Sequence, residues 1–307
     1  MYIIERKNIE NKRYFYLSKR LKVGKKYKKI QVYIGKSVPK NISLYLKRLR
    51  VKELALIPEI ARAMKLPDQQ ISLNEYESVE KARVDWSYYG ASLSPAASER
   101  WWRAFAIRFT FESNAIEGSK LSAKEVEAIV RRQYVGKSLE RKEVREVENA
   151  TEASARAFSD NFHLNQRSII ALHALITREL GVSRGFKKRD IVVNNKATTP
   201  PGEVRGELAR LIAWWRQAKK ECPFYAAIIF HQRFERIHPF EDGNGRVGRL
   251  ILVWMLRQAG YGAILFRNSN RRAYFSALSK ADGGIPRPWL RYAMRVYKDT
   301  IADIVRD

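Results

Sequence analysis

Twelve consecutive residues, His238-Pro239-Phe240-Glu241-Asp242-Gly243-Asn244-Gly245-Arg246-Val247-Gly248-Arg249, gather an imidazole, two carboxylates, an amide, two guanidinium groups and three glycines. A packed core does not need such a set. Asp242 to Gly245 reads as a tight loop entering a helix marked by Val247, Leu250, Ile251, Val253, Trp254 and Leu256. Glycine permits positive φ and close backbone approach, and the first N–H groups of a helix lack partners, so Gly243, Asn244 and Gly245 are expected to cradle a phosphate. Arg246 and Arg249, three apart on the opening helical turn, are expected to project from one face and clamp two successive phosphates. Against the helix dipole two arginines are unfavourable there, a cost that a ligand anion relieves. Asp242 is a hard oxygen ligand suited to Mg²⁺ beside substrate phosphates. His238 can accept a proton near neutral pH, with the surrounding arginines expected to hold it neutral. The set describes a hydroxyl attacking a nucleotide phosphate.

These groups need helices on both sides of the loop. Pro223 to Ile237 is an apolar, aromatic run, and Pro239 is expected to end that helix at His238 by pushing His238 to extended geometry. Other helical patterns fall at Ser43 to Met64 with a break near Pro58, Ala97 to Ser113, Arg141 to Phe158, Gln166 to Leu180, Glu203 to Lys219, Gly245 to Ala259 and Arg287 to Val305. Ser122 and Glu125 have the spacing of a capping box. Between helices, the β-branched run at Arg189 to Lys196 enters an Asn-Asn turn and predicts a short hairpin. Its Val192, Val193 and Asn194 could align an incoming peptide by edge addition. Ser113 and Glu117 lie one turn apart with Gly118 stopping their helix; a glutamate in a last turn opposes the dipole, so Glu117 is expected to have a partner elsewhere. The fold class is mainly α.

The first fifty residues differ. Tyr2 to Ile4, Arg13 to Leu17 and Ile30 to Gly35 read as three strands of an antiparallel β meander, with Val23-Gly24-Lys25-Lys26 as a turn. Too small to fold alone, the meander should dock on the next segment of the chain. Residues 1–50 form this module, 51–96 a helical linker region, and 97–307 the main domain. The 307-residue chain has a net charge of +27, and residues 1–50 alone hold sixteen Lys/Arg against two acidic residues. This is an electrostatic footprint for an anionic partner, nucleic acid or an acidic protein, or else a set of lysines that blunts a sheet edge. The single cysteine, Cys222, allows no intrachain disulfide and implies a reducing, cytoplasmic setting. No secretory signal and no run of about eighteen apolar residues is present, so no membrane partner is expected.

His238 to Arg249 matches every position of H-P-F-x-(D/E)-G-N-G-R-x-x-R and so resembles the Fic (Fido) family, with the likeness running from about Arg103 to Tyr292. The resemblance implies a helical-bundle core with a β-hairpin flap, and transfer of AMP from ATP, with Mg²⁺, to a Ser, Thr or Tyr hydroxyl of a target protein. His238 would be the base, Asp242 the metal ligand, Gly243-Asn244-Gly245 the α-phosphate anion hole, Arg246 and Arg249 the contacts to the outer phosphates, and Phe240 a structural anchor. Ser113 to Gly118 resembles the family's inhibitory (S/T)-x-x-x-E-(G/N) motif on a helix near 103–118, which implies that Glu117 occupies Arg249. The resemblance also likens 190–196 to a target-docking flap and Tyr274 to an aromatic near the nucleotide base, although ordinary helix core fits Tyr274 equally. Transfer of UMP, phosphocholine or phosphate, removal of AMP, and a nucleic-acid-binding regulator using the basic module stand as alternatives, and the oligomeric state stays open.

Overall fold

The computed structural model describes residues 2–64, 70–133, 139–159, 161–193 and 195–306. The chain forms two compact units, one of Met1–Ser94 with Lys298–Asp307 and one of Pro95–Tyr297.

In the first unit β1 (Ile3–Ile9), β2 (Lys12–Val23) and β3 (Lys26–Gly35) form an antiparallel sheet in that order. Gly24 at φ +61° supplies the turn between β2 and β3. The strands run longer than the apolar runs alone indicated because they continue through positions held by lysine and arginine on both faces. Leu17, Leu21, Ile30, Val32 and Ile34 share one face. That face packs with Leu46 and Leu49 of α1 (Ser43–Ala55), Ile57 of α2 (Ile57–Ala63), and Val84 and Tyr88 of α3 (Leu73–Ser92). Each such buried aliphatic contributes about 1.5–3 kcal/mol. Thus residues 51–94 share a core with the meander, and the chain passes to the second unit at Ser94–Pro95. Inside this core Lys19 meets Glu53 at 2.6 Å, and the Tyr88 hydroxyl donates to the same carboxylate at 3.0 Å. The polar stretch 67–74 lies partly outside the described residues; α3 starts from Ser72, whose side chain and Glu75 cap it reciprocally.

The second unit is helical: α4 (Pro95–Ile116), α5 (Ala123–Val130), α6 (Arg141–Ala157), α7 (Gln166–Ile176), α8 (Pro201–Ala218), α9 (Pro223–Ile237), α10 (Asn244–Gln258), α11 (Arg271–Asp282) and α12 (Arg287–Arg306) up to Tyr297. A two-stranded hairpin, β4 (Val192–Val193) with β5 (Lys196–Ala197), interrupts it between α7 and α8. The Ser122 capping box forms, Glu125 returning to the Ser122 N–H at 2.7 Å. α10 is the central helix: Val247 and Leu250 to Leu256 are all buried, and α9, α7, α6 and α4 pack around it. A helix buried on all sides can hold its N-terminal loop rigidly. Among the described residues no helix is long and apolar enough to cross a membrane.

Candidate active site

The loop between α9 and α10 is closed from within. α9 stops at Ile237, and the His238 N–H bonds the Phe234 carbonyl at 3.0 Å. His238 takes φ 51° and ψ 64°, the left-handed region, where extended geometry was expected. Pro239 does exclude the helical region, but closing the helix end with that hydrogen bond selects the left-handed alternative at a cost of about 1–2 kcal/mol. The Asn244 amide donates to the Phe240 carbonyl and accepts from the Phe240 N–H, both at 2.9 Å. Asn244 is therefore a staple across the loop, and its side chain is not free for an anion; the unpaired backbone N–H groups that open α10 are. Phe240 is fully buried and stacks on His173 at 3.8 Å between ring centres, which anchors the loop as expected. His173 Nε2 donates to the Asp242 carbonyl at 3.1 Å, and burial pushes the imidazole down to about 4, so it stays neutral in this role. Gly243, at φ +81°, also has no room for a side chain: a Cβ would lie 3.2 Å from Thr177 Cγ2.

The two arginines do not clamp together. Arg246 Nη2 donates to its own loop's Asp242 Oδ2 at 3.1 Å, with Glu146 at 4.0 Å. Arg249 turns to α4, giving Nε to Ser113 Oγ at 3.0 Å and Nη2 to the Ser113 carbonyl at 2.9 Å and to Glu117 Oε1 at 2.7 Å. Three residues along a helix place two long side chains on neighbouring rows, and the carboxylates available then draw them apart. Burial works against the Arg249 charge, but the Glu117 carboxylate holds it protonated. Glu117 sits just past the end of α4, where Gly118 at φ +107° turns the chain. A Cβ on Gly245 would meet Glu117 Oε1 at 2.2 Å. The carboxylate therefore lies over the N-terminus of α10, exchanging an unfavourable helix end for a favourable one. Arg249 Nη1 and Arg246 Nε are buried without an acceptor among the described residues.

His238 lines a pocket of about 210 Å³ with Val193, Lys196 and Thr198 of the flap side and Phe275 and Asp282 of α11. Its pKa is lowered by burial and next by Lys187, not by the arginines. Lys187 is itself buried, donating to Thr198 Oγ1 at 2.5 Å and to the Ile237 carbonyl at 3.4 Å. Val192 is 65% exposed on the flap edge; Asn194 lies outside the described residues. Tyr274 offers no ring face: it is fully buried, its hydroxyl shares a 2.8 Å hydrogen bond with His231 Nε2, and it belongs to the core behind Arg249. Asp242 is a lone carboxylate with a 62% exposed side chain, and no cluster of three or more His, Cys, Asp or Glu is arranged for a metal among the described residues. Its Oδ2, held only by Arg246, fits a Mg²⁺ that takes the remainder of its ligands from water and phosphate. His173 was not singled out from the sequence, and no role was given to Lys187 or Glu235; one indication was available for His173, a lone histidine in the apolar α7.

Fold and loop define a helical domain that presents a glycine-rich loop between two central helices, with a short hairpin beside it. Residues 163–256 match the family model described as Fic/DOC family, and over that stretch the chain carries a Fic/DOC domain. It is similar to a probable protein adenylyltransferase of Aquifex aeolicus, 38% identical over 39% of this chain and 38% of that protein. It is also similar to the protein adenylyltransferase Fic of Aedes aegypti, 26% identical over 61% of this chain and 39% of that one. The chain thus spans about two fifths of the length of these curated relatives. The crystal structure of a Fic domain containing signaling protein from Bacteroides thetaiotaomicron has the same fold, with a TM-score of 0.67 and 21% identity, over 75% of this chain and 96% of that one.

Proposed function

We propose that this protein transfers AMP from ATP to a hydroxyl side chain of a target protein, and that it rests in an inhibited state. The protein adenylyltransferases to which it is similar support the reaction class. The observation that carries the reading is the Glu117 carboxylate, held by Arg249 and lying over Gly245. A carboxylate held on a buried arginine at that point marks a site that takes an anion, and a phosphate is the natural competitor.

In the active state Glu117 leaves and the outer phosphates of ATP take the freed donors of Arg249, including the now unpartnered Nη1. The α-phosphate lies against the backbone N–H groups of the Gly243 to Gly245 turn. Those of Asn244 and Gly245 are open, and that of Gly243 is held by Asp242 Oδ1 at 2.6 Å until it is displaced; these donors stabilise charge developing there. Asp242 would hold Mg²⁺, which when bound neutralises phosphate charge. The target segment lies along the exposed edge of the flap, putting its hydroxyl in the pocket beside His238. Kept neutral by burial and Lys187, His238 takes the hydroxyl proton; the oxygen bonds to the α-phosphorus as the bond to the pyrophosphate oxygen breaks. The single cysteine fits work in a reducing, ATP-holding compartment, the cytoplasm. Transfer of label from α-labelled ATP tests the reading: Glu117→Gly should label far more than wild type. Equal labelling would remove the brake, and labelling only by another donor would change the reaction.

A further inference from the structure

We propose that the solvent face of the amino-terminal sheet binds single-stranded nucleic acid, a second binding site outside the Fic/DOC domain. The strand register sets that face. Opposite the buried Leu17, Leu21, Ile30 and Val32, it carries the rows Glu5-Tyr16-Tyr33, Ile3-Ser18-Gln31 with Ser18 covered, Arg20-Lys29 and Lys22-Tyr27, with Tyr14 opposite Lys7. At one end Tyr33, 47% exposed, meets Tyr16 at 5.4 Å and Tyr14 at 6.2 Å between ring centres. Lys7 Nζ stands 4.6 Å over the Tyr16 ring. Towards the other end lie Arg20, Lys22 and Lys29, so aromatic and cationic groups succeed one another along roughly 20 Å of β2.

On the inner face Lys19 is buried with Glu53, and Lys28 pairs with Glu59 at the surface, both at 2.6 Å. On the outer face Glu5, bound to Lys29, is the acidic group, and among the described residues no carboxylate lies within ion-pair distance of Lys7, Arg20 or Lys22. Lysines can blunt an exposed sheet edge, and Arg20 and Lys22 do lie where β2 runs past its pairing with β1 at Ser18, but edge protection gives no role to the tyrosine cluster. An acidic protein would use the cations and leave the tyrosine cluster without a purpose. A duplex hides its bases in a stack and is read by elements that enter a groove. Single strands offer free base faces to aromatic rings and a phosphate line to the cations, the combination this face provides.

Fluorescence anisotropy of the full chain with labelled oligo-uridine and oligo-thymidine tests the proposal. Tyr16→Ala with Tyr33→Ala should weaken binding on the order of tenfold or more, whereas Tyr16→Phe with Tyr33→Phe should retain it. Replacing Arg20 and Lys22 with Ser should make the slope of log affinity against log salt shallower by about 0.7 for each phosphate no longer neutralised. Because tyrosine-to-alanine variants could unfold the meander, thiouridine crosslinking of the unaltered chain gives a second measurement, with adducts expected on Tyr14, Tyr16 or Tyr33. No binding, equal binding of duplex without dependence on the tyrosines, equal competition by polyglutamate, or crosslinks confined to other residues would each overturn the proposal.

Discussion

Replacing Glu117 with Gly should make the protein less stable and better at binding ATP. Removing one partner of a fully buried ion pair costs about 3–5 kcal/mol. Here the Glu117 side chain is 35% exposed, so solvent already screens the pair, and Arg249 keeps its two hydrogen bonds to Ser113. The loss is therefore about 1–2 kcal/mol, equivalent to a fall in Tm of roughly 3–6 °C for a unit of this size. ATP with Mg²⁺ should reverse the order. Bound at about a hundred times its Kd it adds about 2.7 kcal/mol, but in wild type the nucleotide must first displace Glu117, so the variant should gain more. Differential scanning fluorimetry with and without ATP reads both effects. A variant that melts lower yet gains no more from ATP than wild type would refute competition between Glu117 and a phosphate.

Gly245→Ala should also disturb Glu117, since its Cβ would fall 2.2 Å from Oε1 and 2.9 Å from Arg249 Nη1. It should destabilise by about 1–3 kcal/mol and, unlike Glu117→Gly, bring no gain in label transfer because the methyl fills the cradle. Phe240→Ala removes a fully buried ring stacked on His173 and should cost about 3–5 kcal/mol in denaturant melts, with loss of activity. Burial pushes the Glu235 carboxyl up to about 8, so the folded chain keeps a proton that the unfolded chain loses above its ordinary carboxylate range. Stability should then decline as pH rises from about 4.5 towards about 8, by about 1.4 kcal/mol per pH unit at most, and Glu235→Gln should flatten that decline in urea melts. Lys187 lowers the His238 pKa, so Lys187→Met should raise it and move the acid limb of the labelling–pH profile upward; an unmoved limb would separate Lys187 from the base.

The loop's chemistry was legible because residue type and spacing carried it: a histidine before proline, glycines opening a helix, a run of apolar residues after them. What stayed hidden depended on neighbours distant in sequence. Arg246 and Arg249 look equivalent along a helix, and only the positions of Asp242 and of Ser113 and Glu117 send them apart. Asn244 reads as one more polar loop residue until its amide is seen on both sides of Phe240. Lys187 lies about fifty residues before His238 and acts through space. Pro239 excluded one backbone region for His238, and the choice between the remaining two belonged to the helix end. In the meander, dense lysines masked the alternation; the register separated Lys19, buried with Glu53, from those facing water.

The proposed transferase site, held off by its own carboxylate, is open to a direct test by intact-mass spectrometry. Wild type, Glu117→Gly and the Glu117→Gly, His238→Ala double variant are each incubated with ATP, Mg²⁺ and a candidate target or with the protein alone. One AMP should be added in the Glu117→Gly reaction, little in wild type and none once His238 is removed. AMP addition that persists without His238, or that is as extensive in wild type as in Glu117→Gly, would contradict a site of this kind.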